Sequence, residues 1–390
     1  MKKRLVAIMM TMVMALGLLT GCGTASSDSG DDSNSAGDSG NASSSSKEVE
    51  ATSEYAEFVS KNLEGKGLKE DGSAFKIGQI HANLESEYVI YLSQYAKFLF
   101  EQAGCDVTLV NAEMNAEKED STIEDFIESG VDLVVIDAID SNGSTAAVKK
   151  LNDAGIPVIF TIRTVENAQY AMFVSTSDNV NTGEKCMQYL ADAAKGEAVD
   201  IASVEGYMGA SDAYQREEGY ENILAKNSNI TYSPTDCEWS STNAEAAITD
   251  ALTVNPDLWG VASHSAAMTS GVFSALRQAS KDIKTGEEGH IYWTSIDGAA
   301  VDLDMIRQGY MDASVDQSPL TNAVTIVKGA LDYILQGNEV PVKDIDVETT
   351  LITPDNVNDS GWWGDYDINQ TESGIFWDGT ESAWDGAAFE

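Results

Sequence analysis

The sequence predicts an α/β protein built on two mainly parallel sheets. Three observations carry that prediction. Short apolar runs alternate with amphipathic runs of helical period, glycine or proline marks many of the joins, and the units are too numerous for one doubly wound sheet. After a polar, helix-like lead over Glu54 to Lys69, Phe75 to His81 reads as a strand. Tyr88, Tyr91, Leu92, Tyr95, Phe98 and Leu99 then recur at helical spacing until Gly104 stops the run. Val107 to Val110 is the next strand. Ser121 with Glu124 has the form of a capping box opening a helix to Glu128, with Gly130 ending it. Val131 to Asp137 is a near-continuous apolar strand, as expected where a parallel sheet is covered on both faces. Ala146 to Ala154 is helical, and Gly155-Ile156-Pro157 leads into the strand Val158 to Ile162. The second half repeats the pattern, with strands at Ile201 to Val204, Leu258 to Ser263, Ile291 to Ile296 and Met311 to Val315. Its helices fall at Ala213 to Lys226, Glu245 to Val254, Met268 to Ala279, Val301 to Gln308 and Leu320 to Leu335.

The N-terminus has a different character. Lys2, Lys3 and Arg4 precede an apolar run from Leu5 to Leu19, which ends in Leu19-Thr20-Gly21-Cys22. A basic head, a short apolar core and a small-residue cut site form a secretory signal, and the run falls short of the roughly 20 residues a membrane span needs. The cysteine after the cut resembles a bacterial lipobox, which implies that residues 1–22 are a lipoprotein signal, with Cys22 carrying diacylglycerol as the mature N-terminus. The protein is then expected outside the cytoplasm, held to the membrane by that lipid anchor only. Residues 23–53 are dominated at first by Ser, Gly, Asp, Ala and Asn and read as a disordered tether.

The chain carries 23 Lys+Arg against 64 Asp+Glu, a formal net charge of -41. Nucleic acid and anionic lipid surfaces both demand positive charge and are excluded as partners; solubility accounts for the acidity. Beside Cys22, Cys105, Cys186 and Cys237 lack metal-ligand spacing and read as small buried thiols, with one disulfide left open.

Six short motifs stand in order at or near predicted strand ends: Ile136-Asp137-Ala138-Ile139-Asp140, Ala154-Gly155-Ile156-Pro157-Val158-Ile159, Ser177-Asp178-Asn179, Arg216-Glu217-Glu218-Gly219-Tyr220, Ser295-Ile296-Asp297-Gly298 and Asp316-Gln317-Ser318-Pro319. In that order and spacing, over about Phe75 to Pro354, the chain resembles the ribose-type sugar-binding proteins of ABC importers, the type I periplasmic substrate-binding proteins. The resemblance implies two Rossmann-like lobes joined by three crossovers, with a ligand held in the cleft between them. It places the crossovers near Ser175 to Asn179, Asp316 to Pro319 and Val340 to Asp344. Lobe one is then 74–176 plus 319–340 and lobe two 177–318 plus 341–354, followed by an acidic, aromatic C-terminal extension over 355–390. The implied partners are a small sugar, a mono- or disaccharide, and an ABC permease, with the protein itself a monomer and no cofactor.

 Sugar recognition needs planar polar side chains that bond neighbouring hydroxyls and aromatic faces that cover the C–H side of a ring. The resemblance assigns these roles to Arg163 after the strand Val158 to Ile162, to Asp297 after Ile291 to Ile296, and to Gln317 at the hinge. Trp239 and Tyr88 stand where stacking aromatics are expected, and Asp137 or Asp140 faces the cleft from the end of a buried strand. Arg216 is either a second ligand arginine or is held locally by a carboxylate such as Glu217. Apart from Arg4, the only arginines are Arg163, Arg216, Arg277 and Arg307, so two of four fall in binding motifs. The residue types depart from the family pattern at four places. Ile162 precedes Arg163 where an aspartate is usual, His264-Ser265 replaces Asn-Asp, Tyr214 replaces an arginine and Ser86 an asparagine. These departures argue against plain ribose as the ligand. His264 either reaches a ligand oxygen or caps the following helix. A ligand-only role predicts that Arg163→Ala or Asp297→Ala removes binding without changing thermal unfolding.

Catalysis lacks a signature. His81, His264 and His290 have no HxxxH or HExxH spacing, and neither a GxSxG nor a Walker loop occurs. Asp365, Asp367 and Asn369 alternate like the start of a calcium loop, but Gln370 stands where the turn glycine belongs, so no metal is expected. The competing reading is sensory: a lipoprotein that presents a sugar or furanosyl autoinducer to a membrane receptor, using the same closed state.

Overall fold

The computed structural model describes residues 59–165, 173–340 and 344–366. The signal over 1–22 with Cys22, the tether over 23–53, and residues 367–390 of the extension, including Asp367, Asn369 and Gln370, lie outside the described residues. No helix among the described residues is long and apolar enough to cross a membrane.

Twelve named strands form two six-stranded sheets. The first has the order β11-β5-β4-β3-β1-β2, with β1 Lys76–His81, β2 Asp106–Asn111, β3 Leu133–Asp137, β4 Val158–Thr161, β5 Phe173–Ser177 and β11 Asp344–Val347. Every pairing in it is parallel. The second has the order β12-β10-β9-β8-β6-β7, with β6 Val199–Glu205, β7 Ile230–Asp236, β8 Gly260–Ser263, β9 Tyr292–Asp297, β10 Ala313–Gln317 and β12 Thr349–Ile352. Only β12, at its edge, runs antiparallel to its neighbour β10.

Strand β3 shows why a sequence without polar alternation is required here. Leu133 and Val135 enter one apolar cluster with Leu92, Leu99, Phe100, Ile326 and Val327, whereas Val134 and Ile136 enter another with Ile123, Phe126, Val148 and Leu151. Successive side chains point to opposite faces, and helices cover both. The second sheet repeats the arrangement, with Val261 and Trp293 on one face and Ala262 and Ile296 on the other.

The chain passes between sheets at Asp178, Ser318 and Glu348, where β5, β10 and β11 end. The third passage corrects the sequence reading: β11 pairs with β5, so 344–347 belongs to the first sheet rather than to the second lobe. Asp178 and Ser318 each cap the helix that follows, through Asn181 and Thr321 N–H. A second correction concerns the helix Ala116–Ser129, which starts earlier than the Ser121/Glu124 pattern suggests. Its cap is Asn115, whose side chain accepts from the Glu117 and Lys118 N–H groups, while Ser121 Oγ donates to the Lys118 carbonyl from inside the helix. Cys105, Cys186 and Cys237 are free and buried, and burial pushes the first two thiols up to about 12 and the third to about 11. Such thiols carry almost no nucleophilic thiolate near neutral pH.

Candidate ligand-binding site between the lobes

The carboxyl ends of the parallel strands of both sheets meet at one cleft, where open α/β sheets bind their ligands. Asp137 ends β3, Arg163 follows β4, Asp297 ends β9 and Gln317 ends β10. The outer cleft has a volume of about 520 Å³ between Ser86, Tyr88, Glu238, Trp239, Thr242 and Asp297. Beneath it lies a pocket of about 30 Å³ bounded by Arg163, Asp212, Arg216, Trp239, Ser265 and Gln317, among others. Tyr88, Ser86, Trp239 and Asp297 line both spaces, so the two share walls.

Asp297 is the junction of this floor. Its Oδ2 accepts from Ser265 Oγ at 2.6 Å and from the Ala266 N–H at 3.0 Å, and its Oδ1 accepts from Gln317 Nε2 at 2.6 Å. Burial raises its pKa, against the pull of Arg216 and these donors. The backbone φ of Asp297 is 115°, a conformation an L residue adopts at a cost of about 1–3 kcal/mol. Trp239 and Ile162, the residue just before Arg163, also have positive φ, 62° and 61°. Three strained positions therefore converge on the cleft, and the surrounding contacts must hold them there.

Arg163 is buried and bridges the lobes. Its Nε donates to Asp212 Oδ1 at 3.1 Å from across the cleft, and its Nη1 lies 3.6 Å from Asp137 Oδ1 within its own lobe. Burial pushes Asp137 up to about 7 even though Arg163 opposes that shift. Burial lowers His81 to about 3, with Arg163 adding repulsion. Arg216 is held by neutral acceptors, with Nε on Asn179 Oδ1 at 3.0 Å and Nη1 on the His264 carbonyl at 2.6 Å. Glu217 is not its partner and instead accepts from Tyr232 OH at 2.7 Å. The Trp239 ring centre lies 5.5 Å from the Arg163 guanidinium carbon and 5.7 Å from that of Arg216, so both arginines attract its π-system. Arg163 Nη1, Asp137 Oδ1 and Trp239 Nε1 are buried with no hydrogen-bond partner among the described residues.

Four residues singled out from the sequence, Tyr214, His264, Asp137 and Asp140, do not line either space. Tyr214 is 40% exposed on the outside of its helix. His264 is fully buried, its ring packed edge-on against Tyr220 at 5.0 Å and tilted against Trp239 at 6.5 Å. Ser265, rather than His264, caps the short helix that follows, accepting from the Ala267 N–H. Asp140 instead ties the lobes at the rim, its Oδ2 accepting from Tyr207 OH at 2.9 Å, beside the Ser141 N–H on the Gly209 carbonyl at 3.0 Å. The sequence reading missed Asp212, Asn83 and Asn179. Asp212 carried a local signal, a buried-side carboxylate at the start of the Ser211–Leu224 helix, but nothing in the sequence pairs it with Arg163.

Glu205, Glu217 and His264 bring their ligand-type atoms within 4.8 Å of one another, the candidate metal group among the described residues. The Gly206 N–H points at His264 Nδ1 at 3.4 Å, which makes Nδ1 the acceptor and leaves the ring proton on Nε2. A metal-bound imidazole needs the opposite arrangement, with its second nitrogen donating outward. Tyr232 OH lies within hydrogen-bond distance of both carboxylates, and burial raises the pKa of each. A shared proton fits this cluster better than a cation.

Two predictions arise here. A Cβ at Gly206 would lie 2.0 Å from the Trp239 ring. Gly206→Ala is therefore expected to displace Trp239 and shift its fluorescence, with weaker ligand binding; an unchanged emission spectrum would count against this packing. The second concerns pH. Burial raises Asp137 and Asp302 to about 7 and Asp316 to about 8, the last with added repulsion from Asp297. The folded protein thus holds protons that the unfolded chain has released, and their stabilising effect is lost as pH rises through these values. His290, raised by Asp312 against its burial, acts in the same direction. His81 and His264, both lowered first by burial and then by an arginine, act oppositely but only below about pH 6.5, the ordinary histidine value. The melting temperature is expected to fall between pH 6.5 and 8.5, and a rise in calorimetry over that range would contradict it.

Residues 77–339 match the model of the periplasmic binding protein domain. The ribose import binding protein of Bacillus subtilis is 28% identical over 266 residues, covering 68% of this chain and 83% of that protein. The galactofuranose-binding protein YtfQ of Escherichia coli is 24% identical over 293 residues, covering 73% and 89%. Among solved structures, a galactofuranose binding protein aligns with a TM-score of 0.68 at 21% identity, covering 76% of this chain and 98% of its own. The arabinose-transporter binding protein of Shewanella sp. ANA-3, bound to arabinofuranose, aligns at 0.66 and 24% identity, covering 72% and 93%. The matched segment begins in β1, runs through both sheets and contains the partners of the Asp297 carboxylate and of the Arg163 guanidinium. The chain belongs to the type I periplasmic binding proteins.

Proposed function

We propose that the protein is an extracytoplasmic lipoprotein that captures a small sugar between its lobes and delivers it to the permease of an ABC importer. One observation carries the reading: Arg163, Arg216, Asp297 and Gln317 converge beside the face of Trp239 at the meeting of two sheets. Two cationic forks and a carboxylate suit adjacent hydroxyls, and the indole suits the C–H face of a ring. The outer cleft, at about 520 Å³, falls in the size range of small-molecule sites. The relatives named above bind ribose, galactofuranose or arabinofuranose by their titles, which supports a pentose or hexose here. Ile162, in place of the acid the family pattern carries before its arginine, favours a sugar other than ribose.

Binding works by closure. Asp212, Tyr207 and Gly209 in the second lobe meet Arg163, Asp140 and Ser141 in the first only when the faces approach, so a ligand bonded from both sides raises the closed population by its differential affinity. The permease reads that closed shape, and no residue of the chain alters the sugar. Cys22 holds the protein at the membrane. The test is calorimetric titration of the full-length protein with a panel of pentoses, hexoses, disaccharides and polyols, followed by mass spectrometry of the recovered ligand. Binding of one sugar, recovered unchanged, supports the reading; silence across the panel or a converted product overturns it.

A further inference from the structure

The three covalent passages between the lobes lie at Asp178, Ser318 and Glu348, but the chain beyond β12 returns to the same boundary. We propose that residues 363–366 form a fourth, non-covalent tie between the lobes, in which Trp363 is a positioning residue for Asp297 and Tyr88 and sets how readily the cleft opens. The inference rests on the ligand role given to Asp297 above, and it lies outside the 77–339 family match.

The tie is anchored firmly on the second lobe. Arg307 places its fork on the Asp365 carboxylate, Nη1 on Oδ1 and Nη2 on Oδ2, both at 2.7 Å, and Nη2 also donates to the Val357 carbonyl at 2.9 Å. A planar fork on a carboxylate fixes direction as well as distance. Gly364 sits so close to the Gly298–Ala300 backbone that a Cβ there would lie 2.6 Å from the Gly298 carbonyl. On the first lobe, the Trp363 ring meets Tyr91 edge-on at 5.2 Å and Tyr88 at 6.1 Å, and Tyr91 OH donates to the Tyr366 carbonyl. Trp363 is 1% exposed and packs in the cluster that also holds Ile162, Ala266 and Ala299, residues of both lobes.

The polar end of Trp363 gives the tie its link to recognition. Its Nε1 donates to the Asp297 carbonyl oxygen at 2.7 Å. That carbonyl belongs to the residue held at a φ of 115°, and the indole N–H supplies its donor. One side chain thus holds the backbone of the carboxylate that ends β9 and packs against the aromatic that lines the cleft from the other lobe. Opening must break the weaker side of this tie. The Arg307 fork and the Gly364 contact keep the segment on the second lobe, so the Trp363 contacts with Tyr88 and Tyr91 are the ones that separate.

The test uses the full-length protein with spin labels on Asp125→Cys and Thr249→Cys, exposed helical sites in opposite lobes. Inter-lobe distances are read by pulsed electron paramagnetic resonance without ligand, for wild type, Trp363→Phe, Trp363→Ala and the control Trp362→Phe. Trp363→Phe keeps an aromatic ring and removes the N–H. It is expected to fold, to add a longer-distance population, and to weaken binding of any sugar found by the panel about tenfold, the scale of one lost hydrogen bond to a buried acceptor. Trp363→Ala is expected to move further in the same direction, and Trp362→Phe to match wild type. A lowered melting point with an unchanged distance distribution in both Trp363 variants would make the segment mere packing and overturn the inference. The distances need no ligand, so a failed sugar panel sinks the proposed function while leaving this comparison decisive.

Discussion

Arg163→Ala is expected to destabilise the protein and to abolish ligand binding together. The substitution leaves Asp212 and Asp137 facing each other's field without their shared cation, in a place where each side chain is at most 3% exposed. Removing one partner of a buried pair costs about 3–5 kcal/mol. The lower end applies, because Asp137 already sits at about 7 and takes up a proton readily. The structure therefore revises the expectation from sequence that this variant would melt with the wild type. A cleft arginine that only met ligand would be solvated when the protein is alone, whereas this one is held by carboxylates from both lobes. Arg163→Lys separates the two roles. It restores the charge, and with it most of the melting temperature, but lacks the planar fork and should leave binding weak. Calorimetric melting and titration of both variants decide the matter, and an alanine variant that melts and binds like wild type would remove Arg163 from the site.

Asp297→Ala is the second large effect. The carboxylate accepts from Ser265 Oγ, the Ala266 N–H and Gln317 Nε2, groups that end or follow the two strands flanking β9. Its loss strands three donors and takes away the acceptor offered to a ligand. Hydrogen bonds to a charged group contribute about 1.5–3 kcal/mol each, so affinity should fall about 100-fold or more. Asp297→Asn keeps the shape but turns an N–H toward a donor, and should recover only part of the loss. Titration against the sugar identified for the wild type measures both, and an alanine variant within threefold of wild type, a difference of about 0.6 kcal/mol, would show the carboxylate to be scaffold.

Much of this architecture was legible before any coordinates. Strands such as Leu133–Asp137 and Val158–Thr161 announce themselves because both faces are covered, so no polar residue interrupts them. Elements whose burial is partial were missed. β7 is an edge strand with Pro234 and mostly exposed residues, and β11 and β12 are four-residue strands whose pairing partners are distant in sequence. Their apolar content is too small to stand out from a loop. The Asn115 cap was overlooked for a related reason: the polar first turn of its helix gives no apolar period to fix the start.

In the cleft the same division holds. Residues at strand ends, among them Arg163, Asp297 and Gln317, could be named because the family resemblance marks them at the carboxyl ends that a parallel sheet presents to a ligand. Partnership could not. That Arg163 pairs with Asp212, 49 positions away, that Arg216 is held by Asn179 and a backbone carbonyl, and that Trp363 reaches the Asp297 backbone over 66 positions depend on how two lobes close on each other. Tyr214 and His264 failed as lining residues because the rotation of one helix and the depth of one strand end are set by packing, not by local spacing.

Local order in the chain was enough to specify two covered sheets and the set of polar groups at their rims, because periodicity and punctuation act over a few residues. Which of those groups touch, which are consumed by one another and which stay unpartnered in the cleft came from contacts across large sequence separations. Such contacts are fixed by the burial of whole faces, an energy that no short stretch of sequence carries.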